Sequence, residues 1–313
     1  MSRLLRSSPS QPATGTERKP AIITPDLLRG WPLPQPDADG DKEGRGRVLV
    51  VGGSAEMPGA AVLADLAALR AGVGKLRLAV PRSVALGVAL ALPEGRVFAL
   101  PEAANGAVDF SAVEELVERA NEVQCVLFGP GMTDEAATAR LVQAVLPRLD
   151  GPIVVLDATA LACLGLDPQA LHCLEGRVVV TPHAGELASC LKADKEAIVA
   201  DAAGTARQAA ALFRSVVALK GAETMITAPD GPTYVNRAGN VGLATTGSGD
   251  ALGGIIAGLA ARGAEPLQAA VWGIYLHARA GDRLARRIGP LGYLARELLP
   301  EIPQLLAKLE RRR

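Results

Sequence analysis

The chain has 313 residues, of which 49% are hydrophobic and 21% are charged, a balance that supports a large buried core and excludes a mainly disordered protein. An α/β domain of this length is common, so length alone does not require a division into two domains. Lysine plus arginine and aspartate plus glutamate both total 33, and the resulting zero formal charge favours a small-molecule partner over nucleic acid or an anionic membrane.

The N-terminal segment is polar and rich in proline, and it contains neither an apolar signal core nor an amphipathic repeat. We therefore expect a flexible tail over residues 1–20, a single domain over 21–313, and a protein that stays in the cytoplasm. A short helix is predicted at 25–30. Because residues 30–46 are rich in proline and glycine, the ordered core is expected to start near Arg47.

From Arg47 onward, short β-branched runs alternate with alanine- and leucine-rich stretches at helical spacing, which indicates consecutive βα units around a parallel sheet. The predicted fold class is α/β, with a mostly parallel central sheet and helices on both faces. Strands are predicted at residues 47–52, 75–80, 96–100, 124–128, 152–157, 177–181 and 215–220. A hairpin over 224–228 and 233–236 is predicted to extend one edge of the sheet, and the chain after residue 249 is predicted to be helical.

Cysteine usage and hydropathy exclude two further classes of protein. The cysteines form no Cys-x-x-Cys pair, and the three histidines have no zinc-ligand spacing, so we predict free thiols in a reducing compartment and no protein-built metal site. The best candidate for a membrane span, residues 251–261, is shorter than the ~20 residues that a bilayer requires.

Glycine-rich turns follow the first and fourth predicted strands, at the edge of the sheet where open α/β folds bind ligands. Gly52-Gly53-Ser54 leads to Pro58-Gly59-Ala60-Ala61 at the start of a helix, where unpaired N–H groups can meet an anion. The spacing is not the Gly-x-Gly-x-x-Gly fingerprint of dinucleotide-binding folds. Gly129-Pro130-Gly131 leaves the backbone open to a ligand, although either turn is equally explained by turn geometry alone.

Charged side chains follow the next three strands. Asp157 is placed either to serve Mg²⁺ or water or to cap the following turn. His183 and Glu186 lie at a strand–helix junction, where the histidine either contacts a ligand or is structural and the glutamate either takes part in the site or favours the helix N-terminus. Lys220, next to Gly221, either neutralises a phosphate or extends into solvent.

The strongest local signal is Gly247-Ser248-Gly249-Asp250, followed by an apolar helix. Glycines allow successive N–H groups to converge at the positive end of the helix dipole, which suits a phosphoryl group in transfer. Asp250 is then the candidate base that accepts the proton of a substrate hydroxyl. The alternative is an ordinary Asp N-cap after a glycine turn.

Taken in order from about residue 40, these segments resemble the ADP-dependent NAD(P)H-hydrate dehydratases of the ribokinase-like superfamily. The resemblance implies a three-layer sandwich and a lyase that repairs hydrated NADH or NADPH. In that reaction ADP, or ATP, with Mg²⁺ phosphorylates the ring hydroxyl, and phosphate is then lost. The residues implied as contacts of the hydrated dinucleotide are Ala60, Gly131, His183 and Asp250. The residues implied as contacts of the adenine nucleotide are Lys220, Gly221, Ala222, Glu223, Thr224, Gly247, Ser248 and Gly249.

Two positions depart from the family pattern. The family commonly has His-Lys-Gly before the first strand, where this chain has Asp41-Lys42-Glu43-Gly44, and Met132 replaces a leucine of similar volume. Some members carry a fused epimerase; here we expect a separate epimerase and a homo-oligomer. The alternatives are a kinase of a small alcohol on the same fold, which shares the first chemical step, and a non-catalytic nucleotide-binding regulator, which would not need a proton acceptor.

Overall fold

The computed structural model describes residues 19–36, 39 and 41–310, and in this part of the chain ten strands form one sheet. The strands are β1 (Ala21–Ile22), β2 (Arg47–Val51), β3 (Lys75–Pro81), β4 (Gly95–Leu100), β5 (Cys125–Phe128), β6 (Ile153–Leu156), β7 (Val178–Val180), β8 (Val216–Leu219), β9 (Thr224–Thr227) and β10 (Thr233–Asn236). Their order is β1-β10-β9-β8-β7-β6-β5-β2-β3-β4, and only β9 runs antiparallel to its two neighbours. The predicted tail lies outside the described residues, apart from residues 19 and 20.

Thirteen α-helices are found within the described ranges, and none of them has the length and apolar character required to cross a membrane. They are α1 (Pro25–Gly30), α2 (Pro58–Arg70), α3 (Arg82–Ala91), α4 (Val113–Ala120), α5 (Glu135–Val145), α6 (Ala162–Leu166), α7 (Ala184–Leu191), α8 (Lys195–Ala200), α9 (Ala202–Phe213), α10 (Ser248–Ala261), α11 (Pro266–Arg287), α12 (Ala295–Leu298) and α13 (Glu301–Glu310).

Alternating residues of the strands face two separate apolar cores. Val48 and Val50 of β2 pack in the core that contains α2, α10 and α11, whereas Leu49 and Val51 pack in the core that contains α4, α5 and α9. Successive side chains of a strand point to opposite faces, so a central strand covered on both sides has no polar face. This arrangement confirms the predicted α/β sandwich with helices on both faces of a mostly parallel sheet.

The seven predicted parallel strands and the hairpin are confirmed to within two residues at each end, as are the short helix at 25–30 and the helical C-terminal part. The prediction that the ordered core starts near Arg47 is wrong. Ile23, Leu28 and Leu33 are buried in the core, and the Trp31 carbonyl accepts a hydrogen bond from Trp272 Nε1 at 2.9 Å. Since β1 pairs with the outer strand of the hairpin, that hairpin is not the edge of the sheet.

Helices α2 and α10 lie in close contact on one face of the sheet. A Cβ added to Gly254 would come within 1.9 Å of the Ala64 carbonyl oxygen, and one added to Gly258 within 2.6 Å of the Ala68 carbonyl oxygen. The two N-termini are neighbours, because a Cβ on Gly247 would meet Leu63 at 2.7 Å. Both helices therefore have the positive ends of their dipoles at the carboxyl ends of the parallel strands.

Candidate active site

Asp157 is the central charged residue at the carboxyl ends of the parallel strands. It follows β6 and is 2% exposed, and its Oδ1 accepts hydrogen bonds from Lys220 Nζ at 2.8 Å and Thr181 Oγ1 at 2.7 Å. Its side chain makes no capping hydrogen bond to the 3₁₀ turn that follows, so the interpretation of Asp157 as a cap is wrong. The interpretation of Lys220 as a solvated surface lysine is also wrong, because its ammonium group is held by a buried carboxylate.

Lys220 closes β8 and lies between two carboxylates. Its Nζ is 3.8 Å from Glu186 Oε2 as well as 2.8 Å from Asp157 Oδ1. Burial alone would lower the pKa of Lys220, but the negative charges of Asp157 and Glu186 outweigh burial and raise that pKa. Lys220 therefore remains a cation over the whole physiological range and cannot serve as a base there.

Asp250 lies in the first turn of α10, close enough to Asp157 and Lys220 to interact with both charges. Burial of its carboxyl group and the negative charge of Asp157 raise the pKa of Asp250 to about 6, against the opposing effect of Lys220. A carboxyl with this pKa is ionised at neutral pH but holds a proton far more readily than an exposed aspartate. That combination suits a group that accepts a proton from a substrate.

The glycine-rich segment before Asp250 differs from its prediction in one respect. Gly247 is the N-cap of α10 with φ +84°, a conformation that glycine adopts without steric cost, and the helix already begins at Ser248. Gly249 is therefore a helical residue and not part of the turn. A Cβ on Gly249 would lie 3.5 Å from Asp157 Oδ2 and 3.8 Å from Lys220 Nζ, so the space that the missing side chain leaves faces the charged cluster.

The first turn of α10 has unpaired N–H groups at the place where the sequence predicted anion binding. The first N–H groups of an α-helix have no intrahelical acceptor, so those of Gly249 and Asp250 are available to a phosphate oxygen. Ser248 is fixed by His277 of α11, whose Nε2 lies 3.0 Å from Ser248 Oγ. Burial lowers the pKa of His277 to about 4, so this imidazole is neutral at physiological pH.

His183 caps α7 in a reciprocal pair with Glu186. The Glu186 N–H donates to His183 Nδ1 at 3.1 Å, and the His183 N–H donates to Glu186 Oε2 at 2.7 Å. Both structural interpretations of these residues are therefore correct, but they do not exclude a role in the site. Because Nδ1 accepts a hydrogen bond, the neutral imidazole carries its proton on Nε2, and the side chain is 59% exposed.

Ala60 and Gly131 form a second group at the same edge. Gly131 has φ +70°, and a Cβ there would lie 2.4 Å from the Met57 carbonyl oxygen and 2.9 Å from Ala60 Cβ. The structure thus brings together the two glycine-rich turns that the sequence analysis singled out. This group adjoins α10 through the contact between Leu63 and Gly247.

The segment after Lys220 extends from this cluster towards β9. Gly221, Ala222 and Glu223 are exposed, and Glu223 forms an ion pair with Arg237 at 2.9 Å. Thr224 is the first residue of β9. These residues follow the carboxyl end of β8 and lie on the side of β9, away from β7. Lys220, which precedes them in the chain, connects them to the charged cluster.

The segment that departs from the family pattern lies at the amino ends of the strands, opposite the site. Asp41 accepts hydrogen bonds from the N–H groups of Glu43 and Gly44, and Glu43 forms an ion pair with Lys75, the first residue of β3. Strands β2 and β3 begin here and end at the site. Asp41 through Gly44 are therefore separated from Asp250 by the length of these strands.

Two polar residues of the site were not predicted from the sequence. Thr181 and His277 hold Asp157 and Ser248 from positions 24 and 29 residues away in the chain. The sequence held one indication of His277, because this polar residue interrupts the apolar face of α11, which includes Ile274 and Ala278. In the described ranges of the chain, no group of three or more His, Cys, Asp or Glu side chains is arranged to hold a metal ion.

Comparisons with known proteins agree with this geometry. A family model described as NAD(P)H-hydrate dehydratase matches residues 48–304. The chain is 47% identical over 290 residues to an ADP-dependent (S)-NAD(P)H-hydrate dehydratase of Xanthomonas campestris, covering 92% of this chain and 97% of that one. It is 45% identical over 278 residues to a bifunctional NAD(P)H-hydrate repair enzyme of Moorella thermoacetica, covering 89% of this chain but only 52% of the relative.

Solved structures give the same fold. An ADP/ATP-dependent NAD(P)H-hydrate dehydratase of Bacillus subtilis, co-crystallised with ATP and Mg²⁺, matches with a TM-score of 0.76 at 29% identity, covering 93% of this chain and 99% of that one. A ribokinase-like protein of Enterococcus faecalis matches with a TM-score of 0.80 at 24% identity, covering 92% of this chain and 96% of that one. The second likeness concerns the fold alone.

Proposed function

This chain belongs to the NAD(P)H-hydrate dehydratase family, and from that premise we propose that it is an ADP-dependent lyase that returns hydrated NADH or NADPH to the intact cofactor. The observation that carries the proposal is the Asp250 carboxylate, held at the N-terminus of α10 beside the Lys220–Asp157 pair with a pKa raised to about 6. A site of this kind can take a proton from a hydroxyl and bind a phosphoryl group within the same few ångströms.

In the first step Asp250 accepts the proton of the hydroxyl on the hydrated ring. The oxygen attacks the terminal phosphorus of ADP, the bond from that phosphorus to the bridging oxygen breaks, and AMP leaves with the electron pair. The N–H groups of Gly249 and Asp250 bind the oxygens of the phosphoryl group as it passes. Lys220 offsets negative charge on the nucleotide, and its raised pKa keeps it protonated throughout.

In the second step the phosphorylated ring loses phosphate. The carbon–oxygen bond breaks, phosphate leaves with the bonding electrons, and a proton departs from the adjacent ring carbon as the double bond forms. The products are NADH or NADPH, AMP and phosphate, so the sum is removal of water from the ring coupled to hydrolysis of ADP. The role proposed for Ala60, Gly131 and the Nε2–H of His183 is to hold the substrate during both steps.

The charge of the site fits a magnesium-bound nucleotide. Asp157, Asp250 and Glu186 face a single lysine, so a bare polyphosphate would meet net negative charge. Mg²⁺ binds through one or two carboxylates together with phosphate oxygens, and Asp157 Oδ2, which faces the space beside Gly249, is the oxygen suited to that contact. When bound, the ion would neutralise charge on the phosphates. The residues from Gly221 to Thr224, of which the first three are exposed, are proposed to hold the rest of the nucleotide.

The remaining properties that we propose are a single domain over residues 21–313, a cytoplasmic location, a homo-oligomeric state and a separate epimerase as the partner enzyme. The domain proposal is supported by α1 and α13, which pack in the same core. The four cysteines are free thiols, which suits a reducing compartment. The bifunctional repair enzymes among the relatives support the pairing with a second repair activity.

The test is to incubate the purified protein with hydrated NADH, Mg²⁺ and ADP and to follow the return of reduced-nicotinamide absorbance together with release of phosphate. Both signals should rise in a 1:1 ratio and should stop when ADP is omitted. A stable phosphorylated dinucleotide without recovered absorbance would instead indicate a kinase, and the absence of any ADP consumption would contradict the proposal.

A further inference from the structure

A cavity of about 380 Å³ opens at the carboxyl ends of β5, β6 and β7, on the side of His183 away from Lys220. His183 and Glu186 form its inner rim, and Glu135, Ser189 and Cys190 line its far side. The cavity belongs to the same edge of the sheet as the charged cluster, since Glu186 both lines it and lies 3.8 Å from Lys220 Nζ. Its volume falls within the range of small-molecule sites.

The position of the cavity separates it from the site of the adenine nucleotide. The proposed function requires a second site for the hydrated dinucleotide. The residues proposed for the adenine nucleotide follow β8 and lie towards β9, whereas the cavity lies on the other side, over β7, β6 and β5. Because the hydrated ring must reach Asp250, the other half of its dinucleotide must extend away from the charged cluster. This cavity is lined by His183, and its volume can accept a nucleoside.

The charged side chains that line the cavity are acidic. Glu135 and Glu186 are its carboxylates, and no lysine or arginine among the described residues lines it. Cys190 lines the same cavity, and burial first and then the charges of Glu186 and Glu135 raise the pKa of its thiol to about 12. Glu186 shares its charge with Lys220, whereas Glu135 stands in the exposed first turn of α5.

We propose that this cavity binds the adenosine half of the hydrated dinucleotide and that Glu135 makes the enzyme prefer hydrated NADH to hydrated NADPH. The inference rests on the proposed function. A carboxylate accepts hydrogen bonds from the free 2′- and 3′-hydroxyls of a ribose, as acidic residues do in other NAD sites. The same carboxylate repels the 2′-phosphate of NADPH, and a cavity without a cation has nothing to offset that charge.

The first measurement is kcat/KM for the two hydrated dinucleotides with ADP. The parent enzyme should prefer hydrated NADH by at least ~10-fold, the effect of about 1.4 kcal/mol. Glu135→Gln should reduce the preference to less than about threefold, and Glu135→Lys should reverse it, because a lysine attracts the 2′-phosphate. Glu196→Lys, in the exposed first turn of α8 and outside the cavity, makes the same charge change at a helix start and should leave the ratio as in the parent.

The second measurement is the affinity of NAD⁺ and NADP⁺ by calorimetric titration with ADP saturating. These dinucleotides share the adenosine half but have no ring hydroxyl, so their binding does not depend on turnover. NAD⁺ should bind at least ~10-fold more tightly, with the order reversed in Glu135→Lys. Equal affinities, no binding of either dinucleotide, or a ratio that Glu196→Lys changes as much as Glu135→Lys would overturn the inference. Selective NAD⁺ binding without turnover would contradict only the proposed function.

Discussion

Asp250 is subject to opposing electrostatic effects, and the balance between them sets its chemistry. Burial and the neighbouring charge of Asp157 disfavour its ionised form, whereas the Lys220 ammonium favours it. The resulting pKa of about 6 leaves the carboxylate ionised at pH 7 and more basic than an exposed aspartate. General bases are most effective when their pKa lies near the working pH, so the burial that destabilises the charge also makes it useful.

Asp250→Asn is expected to reduce kcat by at least ~100-fold, because an amide of nearly the same shape cannot accept the proton. The dissociation constant of ADP should stay close to that of the parent, since the N–H groups of the α10 N-terminus remain in place. Turnover and calorimetric titration measure the two quantities on the same samples. Equal losses in kcat and in nucleotide affinity would show that Asp250 has a structural role and does not accept the proton. The interpretation of Asp250 as the N-cap is wrong, because Gly247 is the N-cap of α10.

The pH dependence of kcat/KM should report the same residue. Because Asp250 acts in its ionised form and its pKa is raised to about 6, activity should be constant above that value and fall as pH drops through it. Below the pKa the decline should approach tenfold per pH unit. The residual activity of Asp250→Asn should lack this acid limb. A parent profile that stays flat down to pH 5 would contradict the assignment of the base.

Lys220→Ala is expected to have three effects. Removal of the cation should weaken ADP binding by about tenfold, and it leaves the Asp157 carboxylate buried without its partner, at a cost to the free energy of unfolding of about 3 kcal/mol. The acid limb should also move above pH 6, because Lys220 lowers the pKa of Asp250.

Lys220→Arg is the matched control for this change, because it keeps the charge beside Asp157 and should preserve most of the stability. Denaturation in urea, ADP titration and the pH profile separate the three effects. Unchanged ADP affinity in Lys220→Ala would remove Lys220 from the nucleotide site.

Residue types and their order after the strands were sufficient to predict that most of the candidate residues lie together at the carboxyl ends of the strands. Asp250, Lys220 and His183 were identified because each follows a strand or a glycine turn at the ligand-binding edge. Their pairing was not predictable from local sequence. Thr181 and His277 act through hydrogen bonds to residues far away in the chain, and only the fold determines those distances.

At the scale of elements, the packing of α2 against α10 places the site. Gly254 and Gly258 allow the helix axes to approach so closely that backbone atoms of α2 occupy the positions where their side chains would be. This proximity aligns two helix N-termini at the same end of the sheet, and a phosphate bound between them would meet both dipoles. The glycines of α10 therefore differ, since Gly254 and Gly258 permit close packing and Gly249 leaves an open space that faces Asp157 and Lys220.

Gly249→Ala tests that distinction. The added methyl group would make only ordinary contacts with Asp157 and Lys220, and alanine favours a helix by about 1 kcal/mol over glycine, so the empty protein should melt at or above the parent temperature. The methyl group would fill the space facing the cluster, so the rise in melting temperature that ADP gives should be largely lost and turnover should fall at least ~10-fold.

Gly87→Ala on α3 is the matched control, because no atom lies within 4 Å of its added Cβ. It should gain the same helix propensity while keeping both turnover and the ADP-induced shift. If Gly249→Ala behaves like Gly87→Ala in every respect, Gly249 does not line the phosphate site.

For the whole molecule, the alternation of apolar strands and helical stretches was enough to predict the sheet, because strands buried on both faces have a distinctive composition. The part that failed is the N-terminal segment. The prolines and glycines of residues 30–46 indicated a loop outside the core, whereas Leu33 is buried in the core and the Trp31 carbonyl accepts a hydrogen bond from Trp272, 241 residues later in the chain. Local composition carries no information about such contacts.

A buried carboxyl group on α2 has no part in the site. Asp65 of α2 is fully buried, both of its carboxyl oxygens are without a hydrogen-bond partner among the described residues, and burial raises its pKa well above the ordinary value of 3.8. In the folded protein the carboxyl is therefore protonated over a range of pH where the unfolded chain ionises it. Unfolding in that range releases a proton, so the stability present at low pH is progressively lost as pH rises above about 4.

Asp65→Asn should remove this contribution, because the amide has the same shape and does not ionise. At pH 4 the free energies of unfolding of the variant and the parent should be similar. With rising pH the variant should become the more stable protein, and the difference should grow by up to about 1.4 kcal/mol per pH unit until the pH reaches the raised pKa of Asp65. Urea denaturation from pH 4 to 8 measures it, and Asp230→Asn, in an exposed turn, should show no such growth. A constant difference across that range would mean that Asp65 is ionised in the folded protein and has a partner in solution.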